Sequence, residues 1–301
     1  MKTFNELLIV SDKSMAIYCG SSHSITAAAV FSSGIYFEDS FGKILLLHDM
    51  AHGSLPFGIR GRDVSCNAKT FGIAPGMQFR LERDALISQE GKVIAEIGYR
   101  ALPEFSPSFS AEKGIDYIFS KGSYLLAQQK RSKLVSFCQG NTKKIIRENL
   151  EDMFTTTGLT GVQLLEQGLT TVNSGLISSG LNRILGLGQG LTPSFDDFLT
   201  GTSAAFNYCA REWGINYPGR ELLNTQLKEK AGERTNKYSA AYLLAAAGEG
   251  IISAIDATIA SAGSDKWERC FAELTSIGGS SGADMMCGVV FAASMIRKDY
   301  Q

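Results

Sequence analysis

The first third of the chain carries short apolar runs separated by turn signals. The signals include Ser32-Ser33-Gly34 and Ala74-Pro75-Gly76, and runs bounded in this way favour β-strands. Such regular spacing predicts a small barrel or a sandwich. The predicted strands are Ala27–Tyr36, Lys43–Leu47, Met77–Arg83, Ala85–Ser88 and Lys92–Gly98.

From Ser110 onward, apolar residues recur at helical spacing instead. The predicted helices include Pro193–Trp213 and Ser281–Lys298. The segment Leu102–Pro107 contains two prolines and separates the two patterns. We therefore predict an α+β protein, with a β-rich barrel or sandwich domain at 1–105 and a mainly helical domain at 106–301.

Composition and charge narrow the class of protein. The formal net charge is −1, which gives no overall basic field to attract nucleic acid or an anionic membrane. No run reaches the about 18 uncharged apolar residues that a membrane span needs. The six cysteines form no Cys-x-x-Cys pair, which favours a reducing compartment. We expect a cytoplasmic protein that binds neither nucleic acid nor membrane.

One glycine-rich segment leads into a predicted helix. Gly186, Gly188 and Gly190 precede Thr192-Pro193-Ser194, where Thr192 is the expected N-cap and proline suits the first turn. Glycines allow sharp turns, and a helix start offers unpaired N–H donors. The segment thus predicts a site for phosphate or carboxylate, although a tight loop with a capped helix is the structural alternative. The predicted anion-binding residues here are Gly188, Gly190, Leu191, Thr192 and Ser194.

A second helix start repeats the same pattern. Ser194-x-x-Asp197-x-x-x-Gly201 and Ser281-x-x-Asp284-x-x-x-Gly288 both follow glycine-rich loops. We predict that both aspartates line one cleft, with Ser280 and Ser281 binding substrate and Asp196, Asp197 and Asp284 as catalytic candidates. Paired carboxylates would need a cation, a basic side chain or an N–H donor between them, so Arg234 and a divalent cation are candidates. Helix capping and dipole compensation are the structural alternative.

Two further segments offer chemistry. Arg234 and Thr235 precede an alanine-rich helix, where an arginine could bind a carboxylate or phosphate; an ordinary solvated helix entry is the alternative. His48 and His52 have metal-ligand spacing on a helix, but the local pattern resembles a strand entering a loop, which disfavours a metal site. No Cys–His pair is apparent in the sequence, and we do not expect a covalent hydrolase.

The helical-domain motifs resemble those of the AllH family. The similar segments are Gly186–Gly201, Arg234–Ala240 and Gly278–Asp284, in the same order and spacing. The resemblance implies a β-rich first domain and a subunit of an oxamate carbamoyltransferase in allantoin breakdown, with FdrA-like and AllG-like partner subunits. It implies a reaction in which oxalurate and phosphate give oxamate and carbamoyl phosphate.

Four positions depart from the family pattern. Gln189 replaces a proline, Phe195 a glycine, Asn236 a threonine and Gly279 a histidine. A phenylalanine in the first turn of a helix is expected to fill space near the predicted cleft.

Three functions fit these observations. The first is a carbamoyltransferase subunit that needs partner proteins. The second is a non-catalytic binding or scaffold subunit whose glycine-rich loops pack helices. The third is a stand-alone enzyme that acts on another small carboxylate or phosphorylated metabolite.

Overall fold

A computed structural model gives the protein two compact units, residues 1–104 and 105–301. The structure describes residues 4–10, 22–31, 34–49, 55–61, 64, 68, 72–82, 85–99, 107, 109–138, 152–248 and 252–299. Apart from Pro107, the predicted boundary segment lies outside these residues. Among the described residues, no helix is both long and apolar enough to cross a membrane.

The first unit is a closed barrel with strand order β1-β5-β4-β3-β2-β6-β7-β8. The β1–β8 and β4–β5 pairs are parallel, and the other pairs are antiparallel. The strands are β1 Phe4–Val10, β2 His23–Val30, β3 Gly34–Asp39, β4 Ile44–Asp49, β5 Gly58–Gly61, β6 Gln78–Leu81, β7 Ala85–Ser88 and β8 Val93–Tyr99.

The barrel interior follows from alternation along its strands. Ile25 and Ala27 of β2, and Ile35 and Phe37 of β3, are buried in one apolar cluster. Successive side chains of a strand point to opposite faces, so every second residue reaches the interior. The predicted run Ala27–Tyr36 is therefore wrong as a single strand, since it spans two antiparallel strands.

The second unit contains helices throughout its described residues. The helices are α1 Ala111–Tyr117, α2 Ser123–Gln129, α3 Val135–Cys138, α4 Met153–Thr170, α5 Ser174–Ile184, α6 Ser194–Trp213, α7 Arg220–Arg234, α8 Lys237–Ala247, α9 Ser253–Ala260, α10 Trp267–Thr275 and α11 Ser281–Asp299, with a π-helical turn at Ile118–Gly122. The predicted fold class is confirmed, and its β-rich part is a barrel.

Helices α6 and α11 form the centre of the helical unit. Every residue from Gly282 to Ile296 is buried, as is every residue from Phe195 to Phe206. Helices that are buried on all sides must pack against neighbours around their whole circumference. The two helices that carry the repeated motif are thus the core of this unit.

Candidate functional site

The glycine-rich loop before α6 requires glycine for two separate reasons. The φ angles of Gly186, Gly188 and Gly190 are +75°, +139° and +98°, which L-residues with side chains rarely adopt. A Cβ on Gly188 would also lie 2.3 Å from the backbone nitrogen of Ser194. The loop therefore folds back directly onto the start of the helix.

The helix start differs in detail from the prediction. Pro193 is the N-cap residue, with an extended ψ of 140°, and α6 begins at Ser194. The prediction of Thr192 as the N-cap is wrong, because its hydroxyl instead donates to Asp197 Oδ2 at 2.9 Å. The threonine hydroxyl thus supports a buried carboxylate rather than the helix backbone.

Several backbone N–H groups of this loop have no acceptor among the described residues. The N–H of Gly186 donates to Asp196 Oδ1, that of Leu187 to Ile184 and that of Phe195 to Leu187. No described residue accepts a hydrogen bond from the backbone N–H groups between them, which are those of Gly188, Gln189, Gly190, Leu191, Thr192 and Ser194. A run of free N–H donors at a helix start is the usual backbone arrangement for binding an anion.

Asp196 ties the loop to the connection between α7 and α8. It is 1% exposed, and it accepts from Gly186 N at 2.8 Å and from the Thr235 hydroxyl at 2.5 Å. Burial raises its pKa, and these hydrogen bonds oppose the rise. Its bonding partners make it a structural link between three segments.

Asp197 lies at the meeting point of the two repeated motifs. It is 1% exposed. The Thr192 hydroxyl that donates to it also lies 2.8 Å from the Ser281 hydroxyl, at the start of α11. Burial and the nearby Asp284 raise the pKa of Asp197 well above its ordinary value, while hydrogen bonding from Ser281 and Thr192 lowers it.

The hydrogen bonding of Asp284 differs from that of Asp197. Its Oδ1 accepts a hydrogen bond from the Ser132 hydroxyl, whereas its buried Oδ2 has no hydrogen-bond partner among the described residues. Burial raises its pKa to about 6, against weaker opposing effects of Ser132, Ser280 and Ser194. Asp197 is thus influenced by Ser281 of α11, and Asp284 by Ser194 of α6.

The motif glycines hold the two helices together reciprocally. A Cβ on Gly201 would lie 1.9 Å from the carbonyl oxygen of Met285, and one on Gly288 would lie 2.0 Å from that of Phe198. Each glycine therefore faces the residue that follows the motif aspartate of the other helix. This exchange is what a local two-fold relation between the motifs produces, and it explains why both aspartates lie together.

The two carboxylates are close but they are not open to solvent. Asp197 and Asp284 are each 1% exposed, so the structure brings them together in a buried cluster rather than in an open cleft. Ser194, Ser280 and Ser281 are half-buried, and Gly190, Gly278 and Gly279 are exposed. The accessible surface at this place consists of the loops above the carboxylates.

The loop before α11 is the smaller of the two. Gly278 has a φ of +61°, and a Cβ on Gly279 would meet nothing within 4 Å. The N–H of Gly282 bonds to Ile277 at 3.0 Å, and that of Asp284 bonds to Ser280 at 2.8 Å. Among the described residues, the N–H groups of Ser280 and Ser281 have no acceptor.

The third predicted segment is a junction between two helices. Arg234 is the last residue of α7, rather than part of a helix start, because α8 begins at Lys237 with Asn236 as its N-cap. The Asn236 side chain also donates to the carbonyl of Leu191 at 2.8 Å. Arg234 is exposed, and within the described part of the chain its guanidinium group has no partner. Its backbone carbonyl lies against Gly186, so the junction borders the glycine-rich loop.

The expectation for Phe195 is wrong. Phe195 is fully buried, and its ring packs against Phe137, Phe154 and Phe198. A Cβ on Gly158 would lie 2.3 Å from its ring. The side chain points into the core of the helical unit, where the small residue of α4 makes room for it.

The described residues provide no ready metal site. No group of three or more His, Cys, Asp or Glu residues among them is arranged to hold a metal ion, so the carboxylates are not assigned as metal ligands. His48 is buried in β4, and His52 lies outside the described residues.

A separate surface cavity involves none of the predicted site residues. Its volume is about 400 Å³ and it lies between α5 and α7. Its lining residues are Ser174, Gly175, Ser178, Leu222, Thr225, Gln226, Glu229 and Lys230.

Sequence reasoning missed Ser132. It bonds to Asp284 across a separation of 152 residues, and it belongs to no glycine-rich or capping motif. No local signal could have identified it.

These motifs fall within a segment that matches a known family. Residues 184–293 match the AllH family, described as oxamate carbamoyltransferase subunit AllH. The resemblance noted in the motifs is confirmed over these residues. The description of that family names a subunit of oxamate carbamoyltransferase. The AllH segment includes both repeated motifs and the junction at Arg234. Neither the curated proteins nor the solved structures contain a significant match to the chain.

Proposed function

We propose that this chain is the subunit of an oxamate carbamoyltransferase that binds the anionic substrates. The observation that carries the proposal is the run of backbone N–H groups from Gly188 to Ser194 that have no acceptor among the described residues. Phosphate would bind to these donors, because a helix start adds a partial positive charge to them. The exposed guanidinium group of Arg234 would supply a charged partner beside the loop.

The loop before α11 would bind oxalurate, which is the second substrate. Oxalurate carries one carboxylate and several N–H groups. The free N–H groups of Ser280 and Ser281 suit that carboxylate. The same preorganised donors would stabilise negative charge that develops on the carbamoyl oxygen during transfer.

The reaction balances without a cofactor. A phosphate oxygen attacks the carbamoyl carbon of oxalurate, and the bond from this carbon to the oxamate nitrogen breaks. The nitrogen takes up a proton, and the phosphate group loses one. Oxalurate and hydrogen phosphate thus give oxamate and carbamoyl phosphate with no change in total charge. FdrA-like and AllG-like subunits would supply the remaining parts of the active site.

Binding of inorganic phosphate to the full-length chain tests the proposal. In calorimetric titrations, we expect wild-type protein to bind phosphate and Gly190→Ala to bind at least about tenfold more weakly, because alanine strains a loop residue at positive φ. Gly214→Ala is the matched control, since Gly214 also has a positive φ and open space around its Cβ position. It lies at the far end of α6, and its phosphate affinity should equal that of wild type.

The reconstituted complex provides the second test. The chain is co-expressed with the products of neighbouring genes, and phosphate-dependent cleavage of oxalurate is assayed. Cleavage only by the complex supports a partner-dependent subunit, whereas cleavage by the isolated chain favours a stand-alone enzyme. Absence of both phosphate binding and cleavage would overturn the proposal.

A scaffold role is the second candidate. Asp196, Asp197 and Asp284 are each 1% exposed, and each accepts hydrogen bonds from side chains or backbone of the same unit. In this role, the buried carboxylates would hold the helices and loops of the unit together and would take no part in chemistry. In that case, phosphate would not bind, and the glycine variants would change stability alone.

A further inference from the structure

Ser132 is a buried serine that contacts the second motif from a distant part of the chain. It lies between α2 and α3 and is 8% exposed. Its hydroxyl contacts Asp284, Leu134 and Cys287. No motif of the AllH segment includes it, since that segment begins at residue 184.

The hydrogen bonds of this hydroxyl can be fully assigned. A serine hydroxyl has one hydrogen to donate and two lone pairs that accept. Leu134 N–H donates to Ser132 Oγ at 2.9 Å, and the Cys287 thiol lies 3.6 Å away as a second donor. With its acceptor positions used in this way, the hydroxyl hydrogen is directed to Asp284 Oδ1.

This assignment makes the two oxygens of Asp284 unequal. Because Ser132 donates to Oδ1, Oδ1 is the less favourable of the two oxygens to protonate. Oδ2 is buried and has no hydrogen-bond partner among the described residues. A buried acceptor without a partner is costly, and protonation of that oxygen removes the charge that makes it so.

We propose that Ser132 is a positioning residue that fixes the carboxyl group of Asp284. Oδ2 is then the oxygen that exchanges a proton with serine hydroxyls at the starts of α6 and α11. The proposal rests on the proposed function, because it gives the exchanged proton a role in carbamoyl transfer. Ser194 and Ser280 are half-buried and lie close enough to influence Asp284. Their hydroxyls would relay the proton to the surface loops.

The relay completes the proton balance of the transfer. As the carbon–nitrogen bond of oxalurate breaks, the proton on Oδ2 passes through a serine hydroxyl to the oxamate nitrogen. The attacking phosphate then returns its own proton along the same path. Since the pKa of Asp284 is raised to about 6, both forms of the carboxyl group are populated near neutral pH.

Three other titratable groups bear on this carboxyl group. Asp197 of α6 interacts with it electrostatically. Cys287 lies one helical turn further along α11, and Cys138 at the end of α3 contacts Cys287. Burial holds the pKa of Cys287 well above its ordinary value, so this thiol stays neutral while Asp284 titrates.

Carbon-13 NMR of aspartate-labelled full-length protein tests the proposal directly. Asp284→Asn assigns the signal, and in wild type we expect a midpoint at about pH 6. Ser132→Ala should raise the midpoint by about one unit, a tenfold gain in proton affinity, because the ionised form loses its donor. Ser132→Thr keeps the hydroxyl and should restore the wild-type midpoint.

Ser294→Ala is the matched control. Ser294 is also buried and lies on α11, but its hydroxyl donates to the carbonyl of Phe291. Its replacement should leave the midpoint unchanged. An unchanged midpoint in Ser132→Ala, or an equal shift in Ser294→Ala, would overturn the proposal. If Ser132→Ala does not fold, the wild-type titration still decides, because a midpoint near 3.8, the ordinary value, contradicts a proton on Oδ2.

Activity separates this proposal from the proposed function. If the reconstituted complex cleaves oxalurate and Ser132→Ala leaves its pH profile unmoved, the positioning role fails and the proposed function stands. If the NMR midpoint shifts as expected but the complex shows no cleavage, the proposed function fails and the position of the proton stands. A pH profile that shifts with the NMR midpoint supports both.

Discussion

The starts of α6 and α11 share one sequence pattern and one packing role, yet they differ in chemistry. A Cβ placed on Gly201 or on Gly288 would lie at nearly the same distance from a carbonyl oxygen of the opposite helix. Asp197 accepts from Thr192 beside Ser281, whereas Asp284 accepts from Ser132 through Oδ1 and its Oδ2 has no partner among the described residues. The packing is reciprocal, but the hydrogen bonding is not.

The loops before the helices differ in the same sense. The loop before α6 has three glycines with positive φ and a run of N–H groups that no described residue accepts from. In the loop before α11, only Gly278 has positive φ, and its helix is closed by the bond from Gly282 to Ile277. A repeated motif can therefore preserve helix packing while the two ends acquire different roles.

The largest effects should come from the motif glycines. Gly201→Ala and Gly288→Ala each place a methyl group about 2 Å from a backbone carbonyl, which cannot move without separating the helices. We expect each to lower the free energy of unfolding of the helical unit by about 4 kcal/mol or more. Urea unfolding monitored by tryptophan fluorescence measures this, since both tryptophans, Trp213 and Trp267, lie in that unit.

Gly232→Ala is the control for this pair, because Gly232 lies in α7 with nothing near its Cβ position. It should leave stability unchanged or raise it by up to about 1 kcal/mol. A large loss for only one of the two motif glycines would show that the packing is not reciprocal.

The next largest loss of stability should come from a substitution at the residue that follows a motif serine. Phe195 of α6 corresponds to Gly282 of α11. Phe195→Ala should cost about 3–4 kcal/mol through the cavity it leaves. Gly158→Ala should destabilise wild type but much less so in the Phe195→Ala background, because the ring that would clash is absent. A double-mutant cycle by urea unfolding measures the coupling, and additive effects would contradict the packing described for Phe195.

The buried carboxylates should give stability a defined pH dependence. The pKa of Asp284 is raised from 3.8 to about 6, so its stabilising contribution is complete below 3.8 and is lost as the pH rises through 6. Asp284→Asn should therefore gain up to about 3 kcal/mol over wild type at pH 8 and lose this advantage near pH 4. Asp197→Asn should show the same sign, because its pKa is also raised.

Asp152 provides a control of opposite sign. It caps α4, and hydrogen bonding from Thr155 lowers its pKa. Its contribution is present above 3.8 and is lost as the pH falls, so Asp152→Asn should be less stable than wild type above that pH and should match it at lower pH. Urea unfolding across pH 3–9 compares the variants, and a wild-type stability that rises between pH 5 and 8 would contradict the raised values.

The smallest effect on stability should come from Arg234. Its side chain is exposed, so Arg234→Ala should change the free energy of unfolding by less than about 0.5 kcal/mol. If it serves the loop before α6, phosphate affinity should fall by about tenfold in calorimetry. Arg183→Ala, another exposed arginine at a helix end, should change neither property. An equal loss of phosphate affinity in the two arginine variants would show that Arg234 contributes only a non-specific positive charge.

Much of the fold could be predicted because its signals are local. Alternating apolar runs predicted the β-rich first part, and the helix at Pro193–Trp213 was predicted within one residue of α6. Strands β1 and β5 were missed. No local signal marks a strand pairing as distant as that of β1 with β8.

The candidate site divides in the same way. The glycine spacing and the repeated Ser-x-x-Asp-x-x-x-Gly pattern could be recognised in the sequence, because turn conformation and helix starts depend on neighbouring residues. The functional roles of the site residues stay a prediction. Three predictions were wrong: Thr192 as the N-cap, Arg234 at a helix start, and Phe195 near the cleft. Each of these depends on how the backbone turns between elements.

Local sequence signals are enough to place most of the elements in order and to mark where glycine lets the backbone approach a neighbour. Three features depend instead on how distant segments fold together: Asp197 and Asp284 share one buried cluster, Phe195 fills the space left by Gly158, and Ser132 donates to one oxygen of Asp284. Periodicity and capping act over a few residues, whereas close packing and hydrogen bonding of buried groups join residues far apart in the chain. No local pattern can therefore specify these contacts.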